Sequence, residues 1–372
     1  MQMMTAHLTS AIESLIQADA AFALYRMPWT DGCRLVWQTS GEVEQLPTVA
    51  SLGTRSGFVM APFSPSVQHP VVLIRPDVTA YGWEEIAALL AEPSAVSPLS
   101  AGQGQPSVPA SSSAEESAAY QAAFHRFIQP LQTGRFRKLV LSRASLQPLV
   151  SGFSVFRAFL EACRRYPRMM VYLCHTPVTG TWMGSTPEIL LSGELHSWHT
   201  VALAGTMPMQ GDVMPTHWSE KNCQEQACVA DYIRTLLSSY GHEVTEEGPY
   251  TTRAGGVVHL KTDFHFLLHE PSRLGELLDA LHPTPAVCGL PKQDTYLFIN
   301  RQEGYDRRYY SGFVGPLNPG GHTALFVNLR CMEIFSEAVR LYAGGGILSQ
   351  SEATSEWQET VEKMKTMRAL LG

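Results

Sequence analysis

Paired cysteines, basic runs and long apolar runs are all missing from this chain, and each absence removes a class of protein. Its 7 cysteines are scattered at positions 33, 163, 174, 223, 228, 288 and 331, with no CxxC pair and an odd count. That argues against a disulfide framework or a zinc site and predicts reduced thiols. Charged residues are only 16% and the formal net charge is −7. Without a cluster of lysines and arginines, a general nucleic-acid binder is not expected. No apolar run approaches the roughly 18 residues of a membrane-spanning helix. The opening MQMMTAHLTSAIESLIQADA has no basic stretch ahead of an apolar core, so no signal peptide is expected. These absences together predict a cytoplasmic protein with no membrane partner.

What is present is a globular composition, with 45% apolar residues in a chain of 372, enough to bury a large core. Residues 8–18 read as a short amphipathic helix. FALYRM, RLVWQT, GFVMAPF and PVVLIRP read as strands, and Trp83 to Leu90 as a helix. PSAVSPLSAGQGQPSVPASSS, residues 93–113, has little to bury and reads as a linker or surface loop. From Glu115 the pattern turns helical, with Tyr120, Phe124, Phe127, Ile128 and Leu131 at 3–4 spacing, and Gly134 stops it. Helices are expected at 154–165, 218–239, 275–281 and 291–303. Strands are expected at 138–143, 169–175, around Glu188, through VVHLKTDFHFLL, and at 309–317, 323–335 and 338–343. Runs of strands separated by helices, without strict alternation, predict an α+β fold with antiparallel sheets. The expected parts are 1–92, a linker at 93–114, and a catalytic core at 115–372.

The most informative stretch is LYAGGGILSQSEATSEWQETVEK, residues 341–363. Gly344, Gly345 and Gly346 lack Cβ atoms, so their N–H groups can close on an anion. Ser355 and Gln358 fit a capping box for the helix that follows. On it Glu356, Glu359 and Lys363 share one face. Two carboxylates and an ammonium beside glycines suit a divalent cation and an anionic substrate. Oxygen ligands point to Mg²⁺ over zinc.

Lys138 opens an apolar strand and, if desolvated, can act as a base. Glu188 follows a proline and precedes three apolar residues; partial burial would keep it protonated as an acid. Glu225, on a helix, is a third carboxylate for the cation. Leu203-Ala-Gly-Thr206 reads as a small-residue turn that could bind a carboxylate through Gly205 and Thr206. His259 sits in an apolar strand, where a core role is commoner than a ligand role. Arg330 ends an apolar strand and needs an anion if buried. Tyr310 could donate through its hydroxyl or pack in the core.

The blocks KLVLSR, GSTPE, ALAGT, LHPTPAVCGLPK, YDRRYYSGFVG and AGGGI…SEWQETVEKM, in this order, resemble the chorismate-utilising enzymes over roughly residues 115–370. Within that family the chain looks like the isochorismate synthases. The resemblance implies one large domain of two related halves, with antiparallel sheets as a core and helices outside. It implies chorismate as substrate, Mg²⁺ held by Glu225 and Glu359 with Glu356, and a monomer. It implies that Lys138 activates water for attack at C2 while Glu188 protonates the departing C4 hydroxyl. Gly205, Thr206, Lys363 and Gly346 would lie at the ring carboxylate. Arg330, Tyr310 and Gly344 would hold the enolpyruvyl carboxylate, with His259 among the substrate contacts. Lys138 stands where the ammonia-using relatives carry Gln. Ala286 stands where relatives that also eliminate pyruvate, the salicylate synthases, tend to carry Thr. The N-terminal part looks more like the menaquinone branch than the siderophore branch. Asn222 and Gln226 depart from the acidic residue and the His usual beside the metal glutamate. A non-catalytic chorismate-binding relative would need a damaged acid–base pair, and Lys138 and Glu188 are both present.

Overall fold

A computed structural model describes residues 2–91, 113–209, 214–215, 217–254, 257–318 and 320–372. Eighteen strands form two nine-stranded sheets among these residues, and the strand pairs are antiparallel. The first sheet runs Gly289–Leu290, Lys138–Pro148, Ala338–Ile347, Cys331–Ile334, Gly180–Thr186, Met170–Thr176, Phe22–Arg26, Cys33–Trp37, Val78–Tyr81. The second runs Gly241–Ala254, Val257–Leu268, Ser197–Pro208, Ile189–Glu194, Thr323–Val327, Phe313–Leu317, Gly57–Ala61, Val71–Ile74, Glu44–Leu46.

Strand alternation explains the layering. Successive side chains leave a strand on opposite faces. Ala23 and Tyr25 face Phe58, Met60 and Phe326 of the other sheet, so the two inner faces share one core. Phe22 and Leu24 point the other way, into a layer with Phe156 and Phe159 of the helix Val155–Arg165 and Met364 and Met367 of the helix Ala353–Arg368. On the outer face of the second sheet, Val59 and Ala61 join Ile233 and Leu237 of the helix Glu220–Tyr240 and Leu277 of Leu274–Leu281. Both faces of each sheet are therefore covered, which is why strands such as Phe22–Arg26 are buried at every residue. The fold is α+β, two antiparallel sheets between helices. The strands of residues 22–81 pair directly with strands of the later chain: Phe22–Arg26 with Met170–Thr176, and Gly57–Ala61 with Phe313–Leu317.

Several expectations need correction. The strand expected at 338–343 runs on to Ile347, so Gly344, Gly345 and Gly346 lie inside it, paired with Ser142, Leu141 and Val140. The LAGT segment is no turn. It is part of the strand Ser197–Pro208, interrupted by a bulge where Gly205 takes φ +72°. The last helix starts at Ala353, capped by Glu352 without a side-chain hydrogen bond, so Ser355 and Gln358 form no capping box. The run 323–335 is two strands in different sheets. Gly241–Ala254, unforeseen, is an edge strand. The expected linker falls mostly outside the described residues, and Ser113 and Ala114 already belong to the helix Ser113–Gln132. No described helix is long and apolar enough to cross a membrane.

Candidate active site

Two of the chain's crossings between the sheets lie adjacent, and each carries a site residue. Gly180–Thr186 belongs to the first sheet and Ile189–Glu194 to the second, so Glu188 lies at the crossing and not within a strand. Thr323–Val327 and Cys331–Ile334 make the return crossing at Arg330, whose φ is +46°. Backbone bonds fasten the crossings together. Ser185 N donates to Arg330 O at 3.0 Å and Val327 N to Glu188 O at 2.9 Å, while Thr186 Oγ1 donates to Val327 O at 2.5 Å.

A cavity of about 60 Å³ opens beside these crossings. Its walls include Glu188, Gly205, Thr206, Glu225, His259, Tyr310, Arg330, Gly344, Gly346 and Lys363. Ten of the predicted site residues, taken from two sheets and two helices, thus meet at one place. Ala286 and Gly345 also line it. Lys138 sits behind the wall. It is 1% exposed, its Nζ is 2.9 Å from Glu225 Oε1, and no acceptor among the described residues is aligned for a hydrogen bond. A buried ammonium with unspent donors is costly unless water or a ligand meets it.

The glycine strand is bare because carboxylates crowd it. A Cβ at Gly346 would stand 2.5 Å from Glu225 Oε1 and 3.3 Å from Lys138 Cε. One at Gly345 would stand 3.3 Å from Glu356 Oε2 and 3.4 Å from Glu359 Oε1. Three carboxylates therefore approach two successive residues. Each is held by a lysine: Glu225 by Lys138, Glu359 by Lys363 at 2.6 Å, and Glu356 by Lys221 at 3.0 Å. In this arrangement no three acidic, histidine or cysteine groups among the described residues are close enough to share an ion. The donor type does fit one. Glu356 is buried on the stripe that also holds Thr360, Met364 and Met367. Burial, and then the charge of Glu359, push its carboxyl pKa up. Two carboxylates opposing each other in a buried place are what a hard divalent cation relieves.

The remaining electrostatics are uneven. Burial raises the Glu188 carboxyl to about 7, against the pull of Lys138, Lys363 and Arg330. Burial, helped by Arg330 and Lys363, lowers His259 to about 3, so the ring is neutral at neutral pH. His259 Nδ1 lies 3.0 Å from Gly205 O and 3.2 Å from Thr206 Oγ1. A carbonyl only accepts, so Nδ1 carries the hydrogen and Nε2 is left as an acceptor. The Arg330 side chain is buried, and burial lowers its pKa. It makes no ion pair or side-chain hydrogen bond among the described residues. Tyr310 stacks on Tyr342 at 5.4 Å, and its Oη would be 3.0 Å from a Cβ at Gly344. Lys363 Nζ donates to Gly344 O at 2.8 Å. Gln226, the departure noted beside the metal glutamate, is buried and donates to Thr262 Oγ1 at 2.7 Å.

Comparison with known proteins decides the family. Residues 78–372 match the family model described as chorismate binding enzyme. The chain belongs to the chorismate-binding enzymes. It is 30% identical over 269 residues to the salicylate biosynthesis isochorismate synthase of Pseudomonas aeruginosa, covering 70% of this chain and 56% of that one. The chain spans about half the length of the curated relatives it matches. A Bacillus anthracis structure described as a 2,3-dihydroxybenzoate-specific isochorismate synthase superposes with a TM-score of 0.77 at 23% identity, covering 97% of this chain and 99% of that one. The menaquinone-specific isochorismate synthase of Escherichia coli gives 0.76 at 22%, covering 96% and 89%. These structures share the two-sheet fold found here.

Sequence reasoning missed Lys221, the partner of Glu356. The signal was available, since Lys221 is i−4 from Glu225 and therefore shares its helix face.

Proposed function

We propose that this chorismate-binding enzyme is an isochorismate synthase. The carrying observation is Arg330, a buried guanidinium that makes no ion pair among the described residues, lining the same cavity as the buried acid Glu188. A site built this way is incomplete until a substrate brings carboxylate. Chorismate, a dicarboxylate, supplies two. The activity of the relatives supports the reading.

In this reading Arg330 and Tyr310 hold the enolpyruvyl carboxylate beside Gly344. Gly205, Thr206, Gly346 and Lys363 face the ring carboxylate, and His259 offers Nε2 as an acceptor. Glu225, Glu356 and Glu359 would hold Mg²⁺, which when bound neutralises the ring carboxylate. Lys138, which rests 2.9 Å from Glu225 Oε1, acts as the neutral amine and takes a proton from a water that attacks C2. Glu188, whose acid form persists up to about pH 7, gives its proton to the hydroxyl leaving C4, and the ring double bonds shift. Placing acid and base around one bound ring supplies orientation as well as proton transfer.

The relatives span salicylate, dihydroxybenzoate and menaquinone branches at similar identity, so the menaquinone assignment expected from the sequence gains nothing over the others. Incubation of the purified chain with chorismate and Mg²⁺, followed by NMR of the products, tests the proposal. Isochorismate is the expected product. Salicylate with pyruvate would favour the salicylate-synthase reading, against which Ala286 in the cavity wall argues. No turnover would favour a non-catalytic chorismate binder.

A further inference from the structure

Lys221 lies outside the cavity wall, yet it touches the most buried of the three carboxylates. Its Nζ is 3.0 Å from Glu356 Oε1 and 3.2 Å from Ser351 Oγ. Ser351 Oγ in turn accepts from Leu348 N at 3.1 Å, just after the glycine strand. Lys221 stands in the first turn of the helix that bears Glu225, and Glu356 in the first turn of the helix that bears Glu359. The single ammonium therefore ties together both carboxylate-bearing helices and the end of the glycine strand.

Two features argue against an incidental surface pair. A lysine in a helix's first turn opposes the positive end of the helix dipole, so the position is unfavourable without a compensating anion. Glu356 is 4% exposed at its side chain, so it cannot turn to solvent if Lys221 is removed. The pair also selects between the two carboxylate oxygens. Lys221 takes Oε1, and Oε2 faces Gly345 beside Glu359 Oε1.

We infer that Lys221 is a positioning residue for the cation site: it holds Glu356 with Oε2 beside Glu359 and fixes the spacing of the two ligand helices. The inference rests on the metal reading proposed above. Without Lys221, Glu356 loses the contact that fixes Oε1, and repulsion from the partly buried Glu359 rotates its carboxylate within the protein. Groups that orient a metal ligand typically change affinity by about 10- to 100-fold.

The test is Mg²⁺ titration calorimetry on the substrate-free full chain, with thermal unfolding in EDTA as the control for folding. Lys221→Met is expected to weaken Mg²⁺ binding at least about tenfold, and Lys221→Arg, which keeps the charge and the donors, to recover most of it. Lys221→Gln serves if the Met variant unfolds, and should bind Mg²⁺ as weakly. Unchanged or tighter Mg²⁺ binding in the Met or Gln variant would overturn the inference alone, as would an Arg variant no better than Met. Wild-type protein that binds no Mg²⁺ would overturn the inference together with the metal reading.

Discussion

The Lys138 ammonium stands 2.9 Å from Glu225 Oε1, with its side chain 1% exposed. The proposed base and a proposed metal ligand thus neutralise each other in the resting protein. Lys138→Ala should lower kcat by about 10²- to 10⁴-fold, the usual worth of a positioned acid or base. It also strips Glu225 of its cation. Added Mg²⁺ should then raise the melting temperature of the variant more than that of the wild type, because a ligand stabilises the state that binds it. Steady-state kinetics and a melting series in Mg²⁺ check both outcomes.

Glu188 links activity to stability through one proton. Burial raises its pKa from 4.5 to about 7, so between those values the folded protein binds more protons than the unfolded chain. Stability from this group is full below about 4.5 and is lost as pH rises through 7. The loss amounts to at most about 3 kcal/mol. Glu188→Gln stays neutral at every pH. Relative to wild type it should gain stability between pH 5 and pH 8 in urea unfolding, while kcat falls about 10²- to 10⁴-fold. Wild-type kcat should decline above about pH 7, as the acid form disappears.

Arg330 is buried and makes no ion pair among the described residues, so it weighs against folding and in favour of substrate. Arg330→Met should raise KM by roughly 30- to 1,000-fold, from about 2–4 kcal/mol for losing a buried charged contact. The same variant should be more stable than wild type without substrate, since an unpaired buried charge is gone. Paired KM and denaturation measurements separate this from a folding defect, which would lower stability instead of raising it.

Gly346 leaves room for Glu225. An alanine Cβ would lie 2.5 Å from Glu225 Oε1, closer than real contacts allow, so the carboxylate must move. Gly346→Ala should weaken Mg²⁺ binding by calorimetry while the strand pairing with Val140 survives, as read by far-UV circular dichroism. Gly345→Ala, with its nearest carboxylate oxygen at 3.3 Å, should cost less.

Much of this site could be read from the sequence, because its residues sit in short blocks whose types already suggest chemistry. The shared face of Glu356, Glu359 and Lys363 followed from helical spacing, and the need of Arg330 for an anion from an arginine in an apolar run; their roles came from the family resemblance. Their geometry did not follow. Glu188 and Arg330 meet because the chain changes sheets at both, and no local pattern marks such a crossing. The bareness of Gly344–Gly346 reads locally as room for an anion; the reason for it is tertiary, in carboxylates arriving from the next helix and from the distant helix that bears Glu225. Gly241–Ala254 went unseen because GHEVTEEGPYTTRA is polar and contains a proline, as an edge strand tolerates.

The central claim is that Lys138 delivers solvent water to the ring while Glu188 releases the original hydroxyl. Turnover of chorismate in ¹⁸O-labelled water, read by mass spectrometry and ¹³C NMR, tests it most directly. One solvent oxygen at C2 of isochorismate, with the C4 oxygen lost, is the predicted result. A product that retains its original oxygen would contradict the account.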